Sequence, residues 1–292
     1  MRTILATAVT ALLALSVASC SSTSHDDGRF DVVASFYPLA EAARQVGGTA
    51  VDVTDLTPPG AEPHDLEPTT RVIDKIDGAD LVLVMGRHFQ PAIEKASDRK
   101  EDGLVITMLD ALKLPTSSDD AHVWLDPVQM ARITSAIREA LQLQDSAHEP
   151  QFLRGERRYL DALTALDTDY RTGLANCRSR IIVTAHEAFG WLAKRYGLEQ
   201  HPIAGLSPEQ EPDPRHLDDL AKLVKAEHVT TIFTEKLVSP KVAQTLAREV
   251  GVKTAVLDPI ESVSKSKAAH GADYLSLMRD NLKVLRAALG CS

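Results

Sequence analysis

Short apolar runs alternate with longer amphipathic stretches along most of the chain. Some of these runs, such as residues 81–85, lack polar alternation, which is typical of parallel strands buried on both faces. The stretches between them place apolar residues three or four positions apart, the spacing of a helix. This pattern predicts strands over residues 32–34, 51–56, 81–85 and 104–107, and again over 181–185, 229–233 and 254–257.

One amphipathic stretch, residues 149–175, is much longer than the others. As a helix it would extend about 40 Å, more than a small domain needs, so we expect it to connect two halves of the chain. Strands that alternate with helices predict parallel sheets. The sequence therefore predicts an α/β protein with two parallel-sheet domains, over residues 30–144 and 177–292, joined by one backbone helix within 145–176.

The N-terminus predicts an exported lipoprotein. Arg2 precedes an uncharged apolar run too short to span a membrane, so residues 1–19 are interpreted as a signal peptide. Small residues lead into Cys20, an arrangement that resembles a bacterial lipobox and implies cleavage and lipid attachment at Cys20. An ordinary signal peptide with a chance cysteine is the alternative. Residues 20–29 would then be a polar tether.

Charge and cysteine content narrow the classes of function. Without Arg2 the mature chain has 31 Lys and Arg against 41 Asp and Glu, a net charge of −10, which argues against nucleic-acid binding. Cys177 and Cys291 remain as an even pair in an oxidising compartment, where they could form a disulfide or stay as two buried thiols.

Four residues at predicted strand exits or in loops carry candidate metal chemistry. His64 lies in a proline-rich loop, residues 57–68, and His122 lies shortly before a helix that Pro127 begins. His186 and Asp258 each follow a predicted strand. Ligands of open α/β sheets bind beyond the carboxyl ends of the strands, so all four could meet in the cleft between the domains. Three imidazoles and one carboxylate suit tetrahedral Zn²⁺.

Taken singly, each of these histidines is more often a hydrogen-bonded loop residue than a ligand, and resemblance changes that balance. Residues 63–68 (PHDLEP), 122–127 (HVWLDP), 186–191 (HEAFGW) and 257–259 (LDP) resemble the metal-site motifs of the zinc/manganese solute-binding lipoproteins of ABC importers, the cluster A-I receptors. The resemblance covers the whole mature chain. It implies a metal in the interdomain cleft, His64, His122, His186 and Asp258 as its ligands, and delivery to a membrane permease. Some zinc members also have a disulfide that uses a cysteine at the position of Cys291.

The third ligand bears on which metal is bound. Manganese-type members have a glutamate there, whereas this chain has His186, and nitrogen ligands favour zinc. Glu187 follows directly and is expected to point away from the site. Residues 115–120 lack the histidines of the metal-capturing loop found in many zinc members.

Three other features have weaker interpretations. We interpret Glu235 as a surface carboxylate, although it follows a strand on the same side as the site. Residues 205–214 could be a lid or a plain connector, and residues 262–271 are expected to be mobile.

The sequence thus predicts a monomeric zinc receptor, held extracytoplasmically at the cell membrane by its lipid anchor, that feeds an ABC permease and is not an enzyme. A manganese receptor of the same family is the alternative. A zinc hydrolase is less favoured, because four protein ligands leave no open position for water and no His-Glu-x-x-His motif is present. An adhesin lipoprotein with incidental metal is the third possibility.

Overall fold

A computed structural model describes residues 29–114 and 119–292; the predicted signal peptide, Cys20 and residues 115–118 lie outside these ranges. The strands are β1 Phe30–Ala34, β2 Val51–Asp55, β3 Leu81–Val84, β4 Leu104–Thr107, β5 Ile181–Thr184, β6 Glu199–Pro202, β7 Thr231–Thr234 and β8 Lys253–Val256. The α-helices are α1 Tyr37–Gly47, α2 Thr70–Gly78, α3 Pro91–Ser97, α4 Met108–Ala111, α5 Pro127–Gln144, α6 Glu149–Gly173, α7 Gly190–Tyr196, α8 Pro214–Ala226, α9 Lys241–Val250, α10 Lys265–Ala269 and α11 Tyr274–Leu289. Among the described residues, no helix combines the length and apolar character that crossing a membrane requires.

The strands form two four-stranded parallel sheets with the same topology. The first has the order β2-β1-β3-β4 and the second the order β6-β5-β7-β8. The predicted α/β class with two parallel-sheet units is confirmed. In each sheet the strand order reverses beside its first strand, which is where ligands of such folds bind.

Alternating side chains of the strands enter separate cores. Val32 and Ala34 of β1 belong to a central core, whereas Val33 between them packs into a smaller outer one. The same alternation recurs in β3. The central core also contains Ile182 and Phe233 of the second sheet, so the two halves meet through packed apolar side chains.

Helix α6 connects the halves, as its long amphipathic pattern predicts. Pro150 lies in its first turn, where a missing N–H costs no hydrogen bond. The helix packs on α1 and α5 of the first half and on α11 of the second. Near its end, the Tyr170 hydroxyl donates to the Met278 carbonyl at 2.6 Å. One helix is thus fastened to both halves; the domain boundaries on either side of it stay a prediction.

The structure differs from the sequence prediction at two elements. Strand β6 was not predicted, because its residues are mostly polar and its exposed position at the sheet edge needs no apolar run. The predicted mobile segment contains the short helix α10, whose Ser264 side chain accepts a hydrogen bond from the Lys267 backbone.

A disulfide joins Cys177 to Cys291. Backbone hydrogen bonds beside it run from Arg178 to the Leu289 carbonyl and from Ser292 to the Asn176 carbonyl, at 3.1 and 3.0 Å. The C-terminus is therefore held at the start of β5, and the alternative of two separate thiols is wrong.

Candidate metal centre

His64 is held by its own loop and by an aromatic neighbour. The Pro58 carbonyl accepts from Ala61, and the Glu62 carboxylate accepts the His64 backbone N–H at 2.8 Å. The imidazole meets the Phe89 ring edge-on, with 4.5 Å between ring centroids. The proline-rich segment therefore presents a buried imidazole in one orientation.

His122 is oriented by a carboxylate two residues before it. Asp120 Oδ1 accepts from the His122 backbone at 2.9 Å and lies 2.8 Å from His122 Nδ1. This contact places the proton on Nδ1 and leaves the lone pair of Nε2 available to bind a metal ion. Both tryptophans lie nearby: the Trp124 ring is 5.1 Å from the His122 ring, and Trp191 Nε1 donates to the Asp120 carbonyl.

His186 has the same kind of support from Glu235. Both oxygens of Glu235 lie 2.8 Å from His186 Nδ1, and one also accepts the His186 backbone N–H at 3.2 Å. The prediction that Glu235 is a surface carboxylate is wrong, since its residue is only 6% exposed. β7 lies beside β5 in the sheet, so the residue after β7 reaches the imidazole that follows β5. Glu187 is exposed and takes no part, as expected.

Glu261 completes the group. Its Oε1 lies 3.3 Å from His64 Nε2, 3.4 Å from His122 Nε2 and 3.7 Å from His186 Nε2. The Nε2 atoms of His122 and His186 are 3.3 Å apart. Four potential ligand atoms, from His64, His122, His186 and Glu261, thus face one point.

Asp258 does not lie in this group, contrary to the sequence prediction. Its Oδ1 accepts from the Ile260 backbone at 3.0 Å, and its Oδ2 pairs with Lys236. Ile260 has a φ of 59°, a left-handed conformation rare for a β-branched residue. This turn brings Glu261, three residues after Asp258, to the three imidazoles.

The spacing of the four atoms fits a tetrahedral zinc ion. Zinc–nitrogen distances of ~2.0–2.1 Å correspond to tetrahedron edges of about 3.3–3.4 Å. The three separations from Glu261 Oε1 are 3.3, 3.4 and 3.7 Å, the Nε2 atoms of His122 and His186 are 3.3 Å apart, and all four atoms lie within 4.8 Å of one another. Two facing imidazole nitrogens at 3.3 Å are explained if a shared cation lies between them.

Electrostatics of the group favour positive charge. Burial alone would lower the pKa of His186, but hydrogen bonds to Glu235 and Glu261 outweigh it and raise this pKa to about 10. Burial and the neighbouring Glu261 raise the pKa of Glu62 to about 8. Burial opposes ionisation of Glu261, yet hydrogen bonds from the imidazoles hold its pKa well below its usual range. A divalent cation can supply the charge that protons otherwise bring.

One oxygen at the centre is left without a protein partner. Glu261 Oε2 is buried and makes no hydrogen bond to any described residue. Buried carboxylate oxygens are normally paired, so an unpaired one beside three imidazoles is itself consistent with a metal-binding role.

The chain is similar to known zinc-uptake and zinc-binding proteins. Residues 32–288 match the family model described as ZnuA, zinc-uptake complex component A, periplasmic. The zinc-binding lipoprotein AdcA of Streptococcus pneumoniae serotype 4 is 34% identical over 94% of this chain, which spans only 59% of that relative's length. The high-affinity zinc uptake system protein ZnuA of Bacillus subtilis is also 34% identical, over 94% of each chain. The crystal structure of Zn(II)-bound AdcA from S. pneumoniae is 33% identical, with a TM-score of 0.78, covering 90% of this chain and 58% of that one.

Proposed function

Because this chain belongs to the ZnuA family of periplasmic zinc-uptake components, we propose that it is an extracytoplasmic receptor that binds Zn²⁺ with high affinity and delivers it to an ABC importer. His64, His122, His186 and Glu261 are the proposed ligands. The transported zinc is the cargo, and its four ligands come from both halves of the fold.

The observation that carries this proposal is the tetrahedral spacing of three imidazole nitrogens and one carboxylate oxygen. Manganese prefers oxygen-rich, six-coordinate sites, whereas this donor set is rich in nitrogen and has four members. His122 and His186 are each backed by a carboxylate, the arrangement that orients histidine ligands of zinc. Zinc is thus favoured over the manganese alternative.

The same geometry favours a receptor over a hydrolase. A catalytic zinc keeps one coordination position open for water, whereas four side chains here can close the sphere. The four ligand residues are also almost fully buried, with His64 the most accessible at 9%. A closed and buried centre suits retention of an ion and its later transfer.

Lipid anchoring at Cys20 and docking to a membrane permease are further parts of the proposal. The anchor rests on the lipobox-like sequence before Cys20, which lies outside the described residues. It is supported by the lipoprotein name of the pneumococcal relative. We propose that the anchored protein acts as a monomer beside its permease.

Metal analysis of purified variants tests the ligand assignment. We expect one zinc per wild-type chain and a loss of affinity of about a hundredfold or more in Glu261→Gln and in His64→Ala, because each loses a direct ligand. Asp258→Asn is the matched control: it keeps the oxygen that accepts from Ile260 and should retain zinc. Manganese in equimolar competition should not displace zinc.

The opposite pattern would reject the assignment. Zinc that is retained by Glu261→Gln but lost by Asp258→Asn would restore Asp258 as the fourth ligand. Wild-type protein that binds no zinc, or prefers manganese, would reject the proposed cargo.

A further inference from the structure

Asn281 lies on α11 and is 2% exposed. Its side-chain Oδ1 accepts the Asp258 backbone N–H at 2.9 Å, and its Nδ2 donates to the Asp258 carbonyl at 2.6 Å. One buried amide therefore holds both backbone polar groups of a single residue. We propose that Asn281 is a positioning residue that fixes Glu261 in the metal centre, an inference that rests on the proposed zinc-binding function.

The position of Asp258 in the chain explains why these two hydrogen bonds matter for the metal centre. Leu257, just after β8, still donates to the Thr234 carbonyl of β7. The Asp258 N–H and carbonyl are taken up by Asn281 instead, so this side chain replaces the missing strand partner. The chain then turns at Ile260 and reaches Glu261 only three residues after Asp258. Where Asn281 holds the chain thus decides where the carboxylate of Glu261 arrives.

The same helix also holds the side of the loop that faces the first half. Trp124 Nε1 donates to the Pro259 carbonyl at 2.8 Å. The Tyr274 hydroxyl donates to the Trp124 carbonyl, and Tyr274 lies two turns before Asn281 on α11. Helix α11 therefore holds the start of the loop after β8 at two points. Asn281 binds Asp258 directly, and Tyr274 holds Pro259 through Trp124.

Asn281 acts only through the backbone, since its side chain bonds to the N–H and the carbonyl of Asp258 and to none of the proposed ligands. Buried backbone groups that lose their partners are costly, so the loop would rearrange to satisfy them if the amide were removed. Rearrangement would draw Oε1 of Glu261 away from the imidazoles, and outer groups that orient ligands change metal affinity by roughly 10–100-fold.

The test compares Asn281→Leu, similar in size and without either hydrogen bond, with wild-type full-length protein. Zinc affinity, measured against a chelator of known affinity, should fall by about 10–100-fold. Asn281→Asp keeps the acceptor but replaces the donor by a carboxylate oxygen that repels the Asp258 carbonyl, so affinity should fall here too, and a second variant remains if Asn281→Leu folds poorly. Thr134→Val on α5 is the control: it removes a buried hydroxyl that bonds only to the Met130 carbonyl, and affinity should not change.

Two readouts separate positioning from a general loss of stability. The visible spectrum of bound Co²⁺ should shift in Asn281→Leu toward that of Glu261→Gln, because both weaken the same ligand, while Thr134→Val keeps the wild-type spectrum. In a double-mutant cycle, Asn281→Leu should add less than about a twofold further loss once Glu261→Gln is present, because groups that act through one another are not additive.

Unchanged zinc affinity in folded Asn281→Leu and Asn281→Asp would overturn the inference. Fully additive losses with Glu261→Gln would overturn it as well, because Asn281 would then act by another route. In both cases wild-type protein still binds one zinc, so the proposed function would stand. Failure of the wild-type protein to bind zinc would reject the function and this inference together.

Discussion

Each of two imidazoles in the centre has a carboxylate behind it. Asp120 supports His122, and Glu235 supports His186, each at 2.8 Å from the Nδ1 atom. The carboxylates fix the ring rotation and the tautomer, so that both Nε2 atoms face Glu261. These supports belong to different halves of the chain, and each half therefore arranges its own ligand before the ion arrives.

Glu235→Gln should weaken zinc binding by about 10–100-fold while the protein stays folded. The amide oxygen can still accept from His186 Nδ1, but the negative charge that increases the basicity of the ring is gone. Competition with a zinc chelator measures the change. Glu187→Gln next to His186 is the matched control, because Glu187 is exposed and should have no effect. Equal affinities for the two variants would contradict the proposed role of Glu235.

The sequence located three of the four grouped residues and missed the fourth for a local reason. His64 and His186 follow predicted strands and His122 precedes a predicted helix, and the resemblance of their motifs to those of a known family singled them out as ligands. Glu261 replaces Asp258 because Ile260 adopts a positive φ, which no residue type at that position signals. Glu235 also follows a predicted strand, so the sequence placed it on the same side of the sheet as the site. Its contact with His186 depends on the pairing of β5 with β7, and the pattern of a single chain does not specify strand order.

At the scale of elements, α6 crosses α1 in unusually close contact. A Cβ added at Gly155 of α6 would lie 2.3 Å from the Val46 carbonyl oxygen and 2.6 Å from that of Gln45. Both neighbours are backbone atoms, which cannot move aside as a flexible side chain can. The crossing of these helices therefore depends on the absence of a side chain at residue 155.

Gly155→Ala should destabilise the protein by about 1–3 kcal/mol, because the added methyl forces the two helices apart. Thermal or urea unfolding measures the loss. Gly78→Ala is the control: it lies at the end of α2, has nothing within 4 Å of the added Cβ, and should change stability by less than about 1 kcal/mol. Similar losses for both variants would contradict the packing argument.

Element prediction succeeded where apolar pattern and burial coincide. The fully buried β3 is an uninterrupted apolar run, and the amphipathic series over residues 149–175 matched α6 within two residues. The polar edge strand β6 could not be predicted, because only its backbone pairing with β5 defines it as a strand. Such pairing is a tertiary contact and leaves no period in the sequence.

Across the whole molecule, a charged network accompanies the shared core. Arg195 at the end of α7 contacts Asp167 of α6 at 2.6 Å and Asp126, the N-cap of α5, at 3.2 Å. Asp167 is buried and also accepts from the Tyr196 hydroxyl at 3.0 Å and from Arg171 Nε at 3.0 Å. Arg195 of the second half therefore joins the connecting helix α6 to the first turn of α5 in the first half.

The stability contributed by Asp167 should depend on pH. Burial opposes its ionisation, but hydrogen bonds from Arg195, Arg171 and Tyr196 outweigh burial and lower its pKa to about 2 from a usual 3.8. Because the pKa of this carboxyl is lower in the folded than in the unfolded protein, its ionised form stabilises the fold at any pH above the unfolded-state pKa. This stabilisation is lost as the pH falls through the folded-state pKa. Asp167→Asn should thus cost about 1–3 kcal/mol at pH 7.

Urea unfolding of both proteins at several pH values measures this difference. The difference in free energy of unfolding should be largest at pH 7 and shrink as the pH falls from about 4 toward 2. Wild-type Asp167 becomes protonated in that range, whereas asparagine does not titrate. A difference that stays constant down to pH 2 would contradict the assignment.

The disulfide between Cys177 and Cys291 turns most of the second half into a covalent ring. A single proteolytic cut anywhere from residue 178 to 290 would open the ring without separating its two pieces. The exposed stretch at α10 lies inside it, after the last proposed ligand, Glu261, and before the helix that carries Asn281. A nick at α10 would therefore be visible by gel electrophoresis only after reduction, with α11 still tethered to the half that it supports.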